Sequence, residues 1–342
     1  MDPNNVTNPT CSSSIWLTNA LLPELEYVFF CVQVALSIIG ILGNSLVCIT
    51  IAKATFMHNV TNFLIAHLAV ADILVCVTII IFQERYMYMY VCSPDLDNNT
   101  AMNEILCKFF HGKRIIWAAC NISIFSMVGV TVERYVGIVH PLKYPRLFTQ
   151  AKVGLMIAVI WTISLSLKIP YLVVSSYDSS THQCFKEGLS NTNTTVASFT
   201  SILEFVLPAV ILLGCYRKIL ISLQRAARNQ QQDNNHAPAN ELLVARRRVI
   251  KMLLVVAMIY ILIWLPIYCL FWISISSKDL SFEVYHASKA IKPTVAVFNS
   301  VVNPFVYAFK YKEFQRGVRY HVFPSMCRSR KVTAAVITVM KD

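Results

Sequence analysis

The chain has 342 residues, 56% of them hydrophobic and only 14% charged, and a mean hydropathy of +0.55. That is more apolar surface than a soluble globule of this size can bury. The net charge of +12 does not call for nucleic acid, because no basic stripe belongs to a soluble segment and most of the excess lies where anionic lipid attracts it. The composition describes an all-α membrane protein.

Seven apolar runs are long enough to cross a bilayer: Tyr27 to Ala52, Val60 to Phe82, a third entered at Cys107, Val153 to Val174, Val196 to Tyr216, Met252 to Ile275 and Pro293 to Phe309. The expected organisation is an outer tail over 1–26, a seven-helix bundle over 27–309, a short amphipathic membrane-surface helix over 310–320 and a tail over 321–342. Lys and Arg concentrate in 53–59, 133–152, 217–251 and the C-terminal tail, which places that face in the cytosol and the N-terminus outside. Residues 1–26 hold no Lys or Arg and no signal-length apolar core, so the first run is expected to act as its own uncleaved signal. The sequons at Asn5, Asn98 and Asn193 fall outside and are glycosylation candidates, whereas Asn59 falls inside and is not.

Along the chain, each run carries polar residues that are expensive in lipid. The first ends in Gly43-Asn44-Ser45, small residues suited to close helix packing. The second holds Asp72, an acid that must be protonated, paired or hydrated. The third holds Asn121 and Ser123 beneath Trp117 and Cys120, then leaves the membrane through Glu133-Arg134-Tyr135. Ile115 to Val132 contains no ionisable side chain, so the charged pair marks where this helix reaches water. Pro141 stops it. The fourth carries Trp161, Lys168 and Pro170, and the fifth Glu204, Pro208 and Tyr216. A buried base and acid on neighbouring helices are tolerable mainly as a pair, so Lys168 is expected against Glu204; the rival reading makes Glu204 a ligand group. The outer loop between them, around Cys184, suits a short hairpin.

Residues 225–245 are polar and low in complexity and read as a flexible inner loop. The sixth run follows Arg246-Arg247-Arg248 and carries Tyr260 and Trp264-Leu265-Pro266, where proline creates a bend. The seventh holds Asn299-Ser300 and Asn303-Pro304-Phe305-Val306-Tyr307. Beyond it, Cys327 is a palmitoylation candidate. Of eleven cysteines, Cys11, Cys92, Cys107 and Cys184 are extracellular and allow three pairings. Cysteine and histidine spacing shows no metal site, and no phosphate loop or nucleophile elbow supports an enzyme.

Seven runs with these signatures in this order resemble a rhodopsin-like (class A) G-protein-coupled receptor, most like the neuropeptide receptors. The resemblance covers about residues 25 to 320 and implies roles for residues already marked as costly. Asp72, Ser123, Asn299, Ser300 and Asn303 would hold an allosteric sodium ion with oxygen donors; no other cofactor is implied. Arg134 would be held by Glu133 at rest, then released with Tyr216 and Tyr307 to meet a heterotrimeric G protein as the sixth helix swings outward about Pro266. Trp264 would sense the ligand, and Ile124, Pro208 and Tyr260 would relay the shift, although the family usually has Phe where Tyr260 stands. The implied disulfide is Cys107 to Cys184, which leaves Cys11 and Cys92 for a second.

Two further departures matter. Arg246 stands where family members often carry an acid that latches the third-helix arginine, which leads us to expect basal signalling. Cys107 also lies two residues further from Arg134 than is usual, with a local bulge, an insertion around Lys113-Arg114 or an exon-boundary error as the explanations. Ile116 occupies the position of the aspartate of biogenic-amine receptors, and Val297 that of the retinal lysine. Gln83, Trp117, Cys120, Glu204, Tyr268 and Phe271 would line a pocket for an extracellular ligand, expected to be a neuropeptide, at the plasma membrane. The alternatives are a small non-amine organic ligand and, more remotely, a channel or transporter, which would need repeats that are not visible.

Overall fold

The computed structural model describes residues 22–82, 100–111, 113–173, 175–178, 183–186, 191–232, 237–276 and 282–322. Seven long helices dominate: α1 (Leu22–Lys53), α2 (Val60–Ile81), α3 (Arg114–Val139), α4 (Gln150–Ser166), α5 (Leu207–Gln232), α6 (Ala237–Ser276) and α7 (Phe282–Lys310), followed by the short α8 (Lys312–Gly317). Their ends follow local chemistry. Asn59, the residue of the sequon expected to stay unmodified, caps α2 by accepting from Asn62 N at 3.0 Å, and Thr149 caps α4, each satisfying a backbone donor that the first helical turn leaves free. His140 leaves the helical region just before Pro141 and ends α3.

Among the described residues, six helical stretches are long and apolar enough to cross a membrane, those built on α1 to α6. α7 is not among them, because Asn299, Ser300, Asn303 and two prolines lower its hydropathy over the expected span. The chain is a multi-pass membrane protein turned partly inside out. Leu42, Leu155, Val210, Leu262 and Phe309 are exposed on the outside of the bundle, while Asn44, Asp72, Asn121, Ser123, Ser300 and Asn303 are buried.

α3 is the axis, packed against α2, α4 and α5, while α7 closes the ring against α1, α2 and α6. The core is continuous from Val47, Leu68 and Cys76 through Ile124 and Leu212 to Val256, Trp264, Val301 and Tyr307. Glycine sets the closest approaches, as expected for Gly43. A Cβ there would lie 2.8 Å from Pro304 Cγ, and one at Gly40 2.5 Å from Cys76 Sγ, so α1 seats directly on α7 and α2.

Three stretches differ from the expectation of plain helices and loops. The third run is broken: a helix over Thr100–Leu106 passes into a π-helical turn over Cys107–His111, and Lys113, at φ 52°, separates it from α3. A widened turn and a left-handed residue lie between Cys107 and Arg134, where the chain is two residues longer than the resemblance leads one to expect. The fifth run likewise enters through Asn191–Ser201 and a π-helical turn at Ile202–Val206.

The inner stretch expected to be flexible is largely helical, since α5 runs on to Gln232 and α6 begins at Ala237. Gln, Arg, Ala and Leu are good helix formers, and low complexity did not outweigh that propensity. On the outer side, β1 (Ser175–Asp178) and β2 (Gln183–Lys186) form the anticipated hairpin, with Tyr177 opposite Cys184.

Candidate functional site

At the C-terminal end of α3, Glu133 and Arg134 form a bidentate ion pair, Arg134 Nε to Glu133 Oε2 at 2.6 Å and Nη2 to Oε1 at 2.5 Å. Glu133 is 0% exposed on its side chain and takes two further donors: Thr61 Oγ1 from α2 at 3.1 Å and the Tyr144 hydroxyl from the following loop at 2.6 Å. Burial and the Glu133 carboxylate push the Tyr144 phenol up to about 12, which keeps it a donor. Nothing in the sequence around Glu133 announces Thr61 or Tyr144 as its partners.

The neighbouring Tyr135 points away, bonded to His140 Nε2 at 3.1 Å with Lys218 Nζ 5.8 Å from its ring. Tyr216 is buried against Thr131, 3.3 Å between hydroxyls, and the Tyr307 hydroxyl is buried with no hydrogen-bond partner. The side chain of Arg246 is not among those described.

Half-way through the bundle, Asp72 accepts from Ser123 Oγ at 2.6 Å and Asn303 Nδ2 at 2.7 Å. Ser300 Oγ is buried in the same layer without a hydrogen bond of its own, and Asn299 is buried without bonding Asp72. Asn44 ties α1 to α7 by donating to Gly40 O and Ser300 O at 2.9 and 3.1 Å, and its own Oδ1 is left unpaired. A polar bridge missed by sequence reading lies towards lipid, where Trp161 Nε1 donates to His67 Nε2 and His67 Nδ1 meets Ser126 Oγ, both at 3.1 Å.

Towards the outside, Lys168 Nζ meets Glu204 Oε1 at 2.6 Å, so the expected pair forms. Asn121 Nδ2 donates to the same oxygen at 3.1 Å. Beside it runs an aromatic chain. Trp117 meets Trp264 edge-on at 6.4 Å, Trp264 lies 6.0 Å from Tyr268, and Tyr268 stacks on Phe205 at 4.6 Å. Cys120 is buried within the core cluster that holds these rings, and Trp264 Nε1 has no partner. Phe271, one turn outward from Tyr268 on α6, instead has Lys292 Nζ 5.3 Å from its ring. Pro266 lies within α6 and Pro304 within α7, where they can bend both helices.

Above this layer, Arg114 is 5% exposed and donates to Cys107 O at 3.1 Å and to Ser175 Oγ. It clamps the bulge to the hairpin. Cys107 itself is disulfide-bonded. Gln83, Asn5, Asn98 and Cys327 lie outside the described residues, as do the side chains of Cys184 and Asn193. An apolar groove of about 330 Å³ beside Val255, Phe298, Val302 and Phe305 faces outward between α6 and α7 and takes no part in this site.

The arrangement is a polar column through a helical bundle, with an aromatic and charged chamber at one end and an arginine held by its own neighbour at the other. Comparison with known proteins gives it a context. The family described as 7 transmembrane receptor (rhodopsin family) matches residues 43–307. The chain is 26% identical over 336 residues to a QRFP-like peptide receptor of Branchiostoma floridae, covering 93% of this chain and 82% of that one. It is 29% identical over 375 residues to neuropeptide Y receptor type 6 of Oryctolagus cuniculus, covering 100% and 94%. Its identity to the protein of that name in Mus musculus is 28% over 355 residues, covering 95% and 89%.

Proposed function

The chain belongs to the seven-transmembrane receptor family of rhodopsin, and we propose that it is a plasma-membrane receptor that binds an extracellular neuropeptide and activates a heterotrimeric G protein. The observation that carries the peptide reading is similarity along nearly the whole chain to proteins named as peptide receptors. The chamber agrees with it. Trp117, Trp264 and Tyr268 offer aromatic walls, Cys120 and Glu204 add polar groups beside them, and Phe271 lies one turn outward on α6; Gln83, outside the described residues, belongs to the same reading from the sequence. Ile116 in place of an acid disfavours an amine.

Signalling would proceed from this chamber to the cytosolic face. A ligand that packs against Trp264 favours an outward position of α6 about Pro266, and can shift the equilibrium only by binding that state more tightly. Arg134 then leaves Glu133 and meets the G protein beside Tyr216 and Tyr307. At rest, Thr61 and Tyr144 keep Glu133 in place to hold the arginine. The N-terminus lies outside and the tail in the cytosol.

The residues around Asp72 fit a sodium ion. Asp72, Ser123 and Ser300 would supply oxygens, with the amide oxygens of Asn299 and Asn303 beside them once Asn303 turns the Nδ2 it now presents to Asp72. The Ser300 Oγ without a hydrogen bond is a buried group that a cation would satisfy. When bound, the ion supplies a positive charge that favours the resting packing of α2, α3 and α7. The assignment of Cys184 as the partner of Cys107, glycosylation at Asn5, Asn98 and Asn193, and palmitoylation at Cys327 belong to the same reading.

The test is cAMP and calcium signalling in cells expressing the wild type and Arg134→Ala, with amidated and free neuropeptides. A peptide response lost in the variant at equal surface expression is expected. Silence to every peptide, with Arg134-dependent basal signalling, would replace the peptide by a small organic ligand.

A further inference from the structure

Tyr260 is fully buried on α6, and its hydroxyl donates to the backbone carbonyl of Glu204 at 3.3 Å. That carbonyl lacks its α-helical donor for a chemical reason. In an α-helix it would accept the N–H four residues on, and position 208 is a proline, which has none. The π-helical turn Ile202–Val206 places the carbonyl where the local ladder changes register, and the hydroxyl of Tyr260 fills the gap from another helix.

The side chain of the same residue is fixed by Lys168 at 2.6 Å and Asn121 at 3.1 Å. Residue 204 therefore gathers bonds from α3, from the end of α4 and from α6. Phenylalanine could fill the Tyr260 site as well by shape, with its ring against Phe205 at 6.0 Å, but it could not make this bond. Burying a hydroxyl costs free energy that a hydrogen bond offsets, and here the carbonyl of Glu204 provides one.

We propose that the Tyr260 hydroxyl is a positioning contact of the resting state. By bonding the carbonyl that Pro208 frees, it holds α6 against the approach to α5 from inside the bundle. It takes the place of a cytosolic acid latch, which Arg246 at the inner end of α6 cannot supply. This rests on the reading of the chain as a receptor that activates by outward movement of α6.

The test needs no ligand. Tyr260→Phe removes one oxygen and keeps the ring. Basal signalling at matched surface expression is compared for wild type, Tyr260→Phe and Tyr260→Phe/Arg134→Ala. In parallel, the distance between spin labels at Lys143→Cys and Lys251→Cys is measured in purified receptor with Cys31, Cys269 and Cys327 replaced by Ser.

Loss of one net hydrogen bond should raise the open population and basal signalling about fivefold, with the gain abolished in the double variant. A structural role alone would lower expression without producing a gain. Unchanged distances and unchanged signalling in Tyr260→Phe overturn the proposal. Longer distances without any Arg134-dependent signalling would uphold the contact and overturn the activation reading beneath it.

Discussion

Among the described residues, two buried ion pairs differ in what they hold together. Glu133 and Arg134 are sequence neighbours on α3, so their bond needs no second helix, and other elements enter only through Thr61 and Tyr144. Lys168 and Glu204 lie on different helices, and their bond exists only if the end of α4 and the approach to α5 are correctly placed. The first acid is wholly enclosed. The second is 16% exposed on its side chain, and both of its donors use the same oxygen. A local pair can be opened without disturbing the fold, which suits a switch. A pair between helices is costly to open alone, which suits a joint that only a ligand with compensating groups could remodel.

The strongest way to break this comparison is to remove each base. Arg134→Ala should reduce signalling to the vector level with surface expression retained, because Glu133 keeps two other donors. Lys168→Met should instead lower thermal stability in detergent by about 3 kcal/mol, since Glu204 is left buried without a cation. Lys168→Met/Glu204→Met should recover most of that loss, and if the double variant is no more stable than the single one, the pair is not what ties these helices.

Asp72 sharpens the contrast, being an acid with donors and no cationic side chain among its bonded partners. Asp72→Asn should abolish any difference in basal signalling between sodium and choline buffers, a coupling expected at roughly tenfold. The smallest effect is expected from Thr61→Val, which removes one donor from Glu133. It should raise basal signalling by an amount equivalent to about 1 kcal/mol, measured against Tyr144→Phe, which removes the other.

The same contrast explains what could be read from the sequence. The helices were legible because lipid demands long apolar runs, and the costly residues within them stood out by position. The Lys168 to Glu204 contact was legible as one of two readings, since a buried base and a buried acid on neighbouring runs are tolerable mainly as a pair while a ligand group was the other explanation of Glu204. The partners of Glu133 were not, because Thr and Tyr at a membrane boundary carry no cost that marks them. The bond from Tyr260 to a backbone carbonyl was hidden as well, although Pro208 four residues after Glu204 was a visible sign that an acceptor would be free. The helical extensions to Gln232 and from Ala237 were obscured by a polar composition that suits an exposed helix as readily as a loop.

The length of α6 has a mechanical consequence. From Pro266 to its start at Ala237, at about 1.5 Å per residue, it is a rod of about 40 Å. With Pro266 as the fulcrum of the proposed movement, the aromatic cluster lies close by on the short side. A tilt of about 10° there displaces the far end by about 7 Å, so sub-ångström adjustments around Trp264 become displacements as wide as a helix radius where another protein would dock. The gain is geometric and requires no flexibility in the rod itself.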